Sequence, residues 1–382
     1  MTPAAAQRFV VLDSFRGLCA LSVVLFHLHI WQSVGEWRFF RSAGLLVEFF
    51  FVLSGFVMAH RYYQRSMNGA GFGDFMISRS CRILPLHFAT LLLMTALVFL
   101  RPVLFAEFTV EDLPDLFWSE GVRTQWVYNA LLLQGWLPDA NLFSFNGPSW
   151  SISVEYYIYI AFGLIVLWAN RHSTAVFAGL VALCSLTTLL ANTQIANSPG
   201  LRGLTCFFLG ATIYALHLRI RQLHLARHWA TLLEAATLLA LYFMVAMKYP
   251  HKSYWATWGF AAAILIFAGE RGQISAWLKH KPFLKLGQWS FSIYLVHFIL
   301  LYIVNVLFAH YYPAWLKQVG QVRYIDSGSI ALNNALLLLI VAGVLLCARW
   351  SFRWIEQPGM RLGKYWQSRR TRPALILAGA KI

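Results

Sequence analysis

Ten apolar runs punctuate this chain, at residues 17–34, 44–60, 84–100, 150–169, 174–191, 203–218, 230–247, 255–269, 289–309 and 329–348. Each is close to the roughly 20 residues that carry a helix across the hydrocarbon core of a bilayer, about 30 Å thick. In hydrocarbon a backbone must satisfy its own hydrogen bonds, so an unbroken run of this length is expected to be helical. The expected fold is an all-α polytopic membrane protein of about ten transmembrane helices. Composition agrees, because 59% of the 382 residues are hydrophobic and only 12% are charged, too few for a soluble domain of this size. The stretch Trp126–Trp136 is apolar too, yet its eleven residues rise only about 16 Å, so it is expected to be a re-entrant or interfacial half-helix.

Charge sets the orientation. With both termini cytoplasmic, 22 of the 31 Lys and Arg residues fall in cytoplasmic segments and 9 in outer loops, the bias of the positive-inside rule. Counting Trp126–Trp136 as a full span would invert every later loop against that bias. The formal net charge of +16 is thus an orientation signal and an attraction to anionic membrane lipids. Basic residues spread over six short loops make no nucleic-acid surface, and no nucleic-acid partner is expected. The first apolar run lacks a small-residue cleavage site and is expected to remain as an uncleaved anchor. The five cysteines lie in or beside the runs without close pairing and are expected to be free thiols. With no internal repeat or long linker, the expected organisation is one membrane domain, residues 1–348, and a basic cytoplasmic tail, residues 349–382.

Ionisable groups inside such runs cost kilocalories and mark candidate sites. Arg16 and His27 share one helical face to within about 20° and stand roughly 16 Å apart along it, a guanidinium at one end and an imidazole near the other. Glu48, Glu155 and His297 are the other such residues. A carboxylate and an imidazole at similar depth suit general-base chemistry, and Glu155, among Ser149, Ser151 and Ser153, is the favoured acid. Glu48 and His297 read equally well as interhelical hydrogen bonds that assemble the bundle. Arg79 and Arg82, three residues apart, share a face and form with Arg16 a cytoplasmic cluster suited to phosphate. His27 and His29 are about 200° apart and cannot chelate one ion, while His224 and His228 lack an acidic third ligand, so no metal site is expected.

Several motifs follow one another in order. They are Leu12-Asp13 with Arg16-Gly17 and ten residues from Gly17 to His27, then Phe49 to Gly55 (FFFVLSG), then Arg79 and Arg82 before Pro85. Ser149-Trp150-Ser151 through Glu155, Gly287 with Ser290 to His297 (SFSIYLVH), and Ile355-Glu356-Gln357-Pro358 complete the series. Together they resemble the acyltransferase-3 family of integral-membrane acyltransferases, over nearly the whole chain. The resemblance implies transfer of an acyl group, usually acetyl, from cytoplasmic acyl-CoA (acetyl-CoA in the usual case). The acceptor it implies is a hydroxyl of an extracytoplasmic glycan or lipid-linked sugar, such as O-antigen or exopolysaccharide. It also implies a multi-pass protein of the bacterial inner, or cytoplasmic, membrane. On the matching positions His27 is the essential histidine, Arg16, Arg79 and Arg82 are the functional arginines, and Asp13 is the aspartate that assists the histidine. On one straight helix Asp13 and His27 stand about 21 Å apart, so direct contact requires a bend near Gly17. With 34 residues after Ala348, the chain is expected to act without the hydrolase-like C-terminal domain that many members carry. Two alternatives stand beside this reading: acyl transfer to a small secondary metabolite, and a proton-coupled transporter relaying through His27, Glu155 and His297. The missing inverted repeats weigh against the transporter.

Overall fold

The computed structural model describes residues 8–62, 67–104, 121–191, 195 and 198–379. Its elements in chain order are α1 (Val10–His27), α2 (Leu46–Tyr62), α3 (Gly69–Leu104), α4 (Val122–Ala130), α5 (Ser149–Ala169), α6 (Ser173–Leu190) and α7 (Pro199–Ile220). There follow α8 (Arg227–Ala246), α9 (Lys252–Phe267), α10 (Gln273–Leu278), α11 (Lys281–Tyr311), β1 (Leu316–Val319), β2 (Val322–Ile325), α12 (Ile330–Ser351) and α13 (Gln357–Gly379). Among the described residues, eight helical stretches are long and apolar enough to cross a membrane. The protein is thus an all-α membrane protein with one short hairpin added. Fewer stretches than expected runs are counted for two reasons. Two runs share the stretch Ser149–Leu190, where Asn170 at φ 47° breaks the helix, and α9 has only 16 residues.

Contacts divide the chain into two compact units, residues 1–63 with 172–345 and residues 64–171 with 346–382. In the first unit α1 packs on α11, α2 on α7, α7 on α6 and α8 on α9. The α1–α11 pair sets the geometry of the candidate site. A Cβ at Gly17 would overlap the backbone of Leu286 and Gly287, and one at Gly287 would overlap Asp13 and Ser14, so the two backbones touch there. Ten residues further along each helix, His27 and His297 meet by a hydrogen bond. Equal steps on both sides mean that the helices run parallel and stay in register for about 15 Å.

The first run is displaced from its expected place, because the helix occupies Val10–His27 rather than 17–34. Its end is fixed by the Arg41 guanidinium, whose Nη2 donates to the Leu25 carbonyl and, at 3.1 Å, to that of Leu28. These are orphan acceptors at the negative end of the helix dipole, where a cation is favoured. Beyond it the chain is extended. Ile30 bridges Ile325 in parallel, the Trp31 N–H donates to the Ile325 carbonyl at 2.9 Å, and the Ile325 N–H donates to that of His29 at 3.0 Å. β2 pairs antiparallel with β1 through a two-residue turn with Gly320 at φ 61°. Leu28, Ile30 and Ile325 bury themselves against Leu25, Leu301, Leu337 and Ile340, at about 1.5–3 kcal/mol for each fully buried side chain.

In the second unit α3 packs against α5 and α13. The short helix expected at Trp126–Trp136 occurs four residues earlier, as α4, and the backbone leaves it at Leu131. The boundary expected at 348/349 falls inside α12. After a π-helical turn at Phe352–Glu356, α13 runs on, with Gln367 Nε2 donating to the Asp74 carbonyl at 2.7 Å. Pro358 has no N–H to give the Trp354 carbonyl, which accounts for the widened turn just before it. All five cysteines are free thiols.

Candidate active site

The first unit brings His27 and His297 together. His27 is the last residue of α1 and is half-buried, while His297 is wholly buried in α11. His297 Nδ1 faces the Ile293 carbonyl at 3.1 Å, and His27 Nδ1 faces the Val23 carbonyl at 3.0 Å. A carbonyl only accepts, so both Nδ1 atoms carry the proton. His297 Nε2 is then a bare acceptor, and it receives the His27 Nδ1–H at 3.1 Å. By elimination His27 Nε2 is an unprotonated lone pair, and it makes no hydrogen bond among the described residues. The arrangement is that of a general base already held in its working tautomer. A proton arriving on Nε2 would leave an imidazolium whose Nδ1–H is shared between Val23 and His297, which supports the charge.

The sequence assigned the orienting task to Glu155 or Asp13; the groups hydrogen-bonded to the His27 ring in the structure are the Val23 carbonyl and His297. Asp13 sits at the far end of the unbroken helix α1, 2.6 Å from Arg8 Nε and 3.7 Å from Arg16 Nη1. The helix runs without interruption through Gly17, where it packs on Gly287. Asp13 is thus about 21 Å of helix rise from His27 and does not touch it. Arg16 shares that end. Glu48 is fully buried, and its Oε1 accepts from Arg202 Nε at 3.0 Å, from Arg202 Nη2 and from Ser253 Oγ at 2.7 Å. These bonds tie α2 to α7 and α9, while Glu48 Oε2 is buried and makes no hydrogen bond among the described residues.

In the second unit, Glu155 accepts the Tyr159 hydroxyl at 2.6 Å on Oε1, and the buried Arg79 guanidinium lies 5.8 Å from the Tyr159 ring centroid. Arg82 is half-buried and makes no ion pair or hydrogen bond among the described residues. Around the α4 end, Asn129 Nδ2 donates to Ser144 Oγ at 2.8 Å and Ser149 Oγ donates to Asn129 Oδ1 at 3.3 Å, pinning the entry to α5. Among the described residues no cluster of His, Cys, Asp and Glu is arranged to hold a metal ion.

Sequence reasoning undervalued His297 and overlooked Arg41. A signal for His297 was present, since Gly17 and His27 have the same spacing as Gly287 and His297.

A bundle of helices long and apolar enough to cross a membrane, with two imidazoles hydrogen-bonded between two of them, is the architecture of an integral-membrane protein. The chain belongs to the acyltransferase-3 family, whose family model, described as an acyltransferase domain, matches residues 9–356. Among curated proteins it is similar to "Acyltransferase MdmB" of Streptomyces mycarofaciens, 26% identical over 387 residues and 94% of each chain. It is also similar to "Protein 2 in picA locus" of Rhizobium radiobacter, 34% identical over 162 residues, 41% of this chain and 81% of that protein. No solved structure matches it. Family membership decides between acyl transfer and proton-coupled transport in favour of acyl transfer.

Proposed function

We propose that this acyltransferase moves an acyl group, acetyl in the simplest case, from cytoplasmic acyl-CoA to a hydroxyl of an extracytoplasmic or lipid-linked glycan. The observation that carries this reading is the bare Nε2 of His27, backed by the His297 hydrogen bond. His27 Nε2 takes the proton of the acceptor hydroxyl, and that oxygen attacks the thioester carbonyl. The tetrahedral intermediate collapses with cleavage of the C–S bond, and the imidazolium returns its proton to the leaving thiolate, giving an ester and free coenzyme A. His27 is the catalytic residue and His297 its positioning residue.

The donor phosphates are assigned to Arg16, Arg79 and Arg82. Arg16 already neighbours Asp13 and Arg79 already packs on Tyr159, so Arg82 has the most capacity left for a charge-assisted hydrogen bond. Glu155 is assigned a supporting acid role on its own unit. The inner membrane is the location that suits a cytoplasmic donor and an outer acceptor.

The test uses purified protein in liposomes, with acetyl-CoA on one side and glycan on the other. Wild-type protein should release coenzyme A only when the acceptor is present, and His27→Ala should lose about 10² to 10⁴ of that rate while its melting curve stays unchanged. Arg82→Ala should raise the donor KM about tenfold or more and leave the acceptor KM alone. Wild-type turnover in His27→Ala would refute the mechanism.

A further inference from the structure

The segment after His27 has two faces. Leu28 and Ile30 enter the apolar cluster, so by the alternation of extended backbone His29 and Trp31 point the other way. Across the bridge Ile325 joins that cluster and its neighbour Tyr324 stands opposite, while Lys317, paired with Tyr324 across the hairpin, lies on the same side as Tyr324. The four side chains form one patch. The His29 ring lies 5.5 Å from that of Tyr324, the Tyr324 ring lies 5.3 Å from that of Trp31, and Lys317 Nζ stands 4.1 Å over the Trp31 ring. Glu36, whose Oε1 lies 3.4 Å from Arg41 Nε, adds a carboxylate beside Tyr324.

The patch is fixed relative to His27. His29 Nδ1 donates to the His27 carbonyl at 3.1 Å, and Asn333 Nδ2 donates to the Trp31 carbonyl at 2.8 Å and to Asp326 Oδ1 at 3.2 Å. The sheet is held by backbone bonds and by its other, apolar face, so the rings on this face are not needed to assemble it.

We propose that this patch is the acceptor platform, on which a pyranose ring stacks against Trp31 and Tyr324 and places one of its hydroxyls at His27 Nε2. The inference rests on the acyl-transfer reading above and adds where the acceptor binds and what shape it has. A pyranose carries an apolar C–H face that packs on aromatic rings and a rim of hydroxyls that need polar partners. Trp31 and Tyr324 supply the first, and Lys317 and Glu36 the second. Lys317, whose side chain is 45% exposed, also lies 3.4 Å from Asp326 Oδ2, and this exposed pair can be exchanged for a sugar hydroxyl. A lipid tail is a poor occupant, because the patch presents an ammonium and a carboxylate.

The experiment measures acetyl-CoA-dependent acylation of methyl glucoside, galactoside and mannoside by wild-type protein, Trp31→Ala, Trp31→Phe and Tyr324→Ala. Trp31→Ala and Tyr324→Ala should each raise the KM for the preferred glycoside about tenfold or more with donor KM unchanged, and Trp31→Phe should recover most of the loss. An unchanged glycoside KM in both alanine variants would overturn the platform while leaving acyl transfer intact. A fall in kcat with a matching rise in donor KM would overturn it too, because that marks a structural role. If wild-type protein acylates none of the glycosides, the platform fails. If it also releases no coenzyme A with any other hydroxyl acceptor, the acyl-transfer reading falls with it.

Discussion

Two polar clusters lie inside the first unit. At one, Glu48 takes three hydrogen bonds on a single oxygen from Arg202 and Ser253, so a charge meets its counter-charge and three helices are tied. At the other, two imidazoles meet as neutral rings, three of their four nitrogens are engaged, and the fourth is left bare. What separates the two clusters is charge and access. At Glu48 the charge is matched by Arg202 and the oxygen left without a hydrogen bond, Oε2, is buried, whereas the bare imidazole nitrogen belongs to a half-buried residue.

The contrast breaks most sharply at Glu48. Glu48→Ala leaves the Arg202 guanidinium, 27% exposed, without its carboxylate, and the cost should approach but not exceed the about 3–5 kcal/mol of a fully buried pair. Membrane yield and melting temperature should both fall, and activity per folded molecule should hold. A variant that folds normally but turns over slowly would move Glu48 into the reactive class.

His297→Leu removes the acceptor behind His27. The expected loss is about tenfold to a hundredfold in kcat, the worth of one hydrogen bond to a charged group, with the acidic limb of the pH–rate profile displaced and His297→Gln recovering part of it. An unaltered pH profile would reduce His297 to packing.

The smallest effect belongs to the hairpin. The backbone N–H of Gly328 holds the Asp326 carboxyl below the usual carboxylate range, with Asn333 and Lys317 adding to it. A depressed folded value stabilises above the ordinary value near pH 4 and is lost as the pH falls through the depressed one. Hydrogen exchange at Trp31 and Ile325 should therefore accelerate only below about pH 4, and in Asp326→Asn should be faster than in wild type at neutral pH and no longer respond to acid.

Helices were legible because their signal is long and local. Nine of the ten runs fall on helices, though those holding 84–100 and 289–309 begin well before the run, and α1 was misplaced because its end depends on Arg41, a residue fourteen positions away. The hairpin escaped because strands of four residues carry too little alternation to stand out, and because its third strand lies about 290 residues earlier in the chain. His27 was singled out from its chemistry alone. Its partner was not, because whether His297 faces a helix, lipid or another imidazole is decided by α1–α11 register. Glu155 and Asp13 were favoured because carboxylates commonly orient imidazoles, and an imidazole neighbour, which can do so without burying a charge, was not weighed for that task.

The shared ten-residue step from glycine to histidine makes the α1–α11 pair a matched set of rulers. One residue inserted between Gly17 and His27 would swing the ring by about 100° and lift it about 1.5 Å, away from a partner that had not moved. The same insertion made in both helices would carry both rings together. Apart from Gly17 and Gly287, where no Cβ fits, side chains along this seam can vary in character, whereas its length cannot, and any change of length in one helix must be answered in the other.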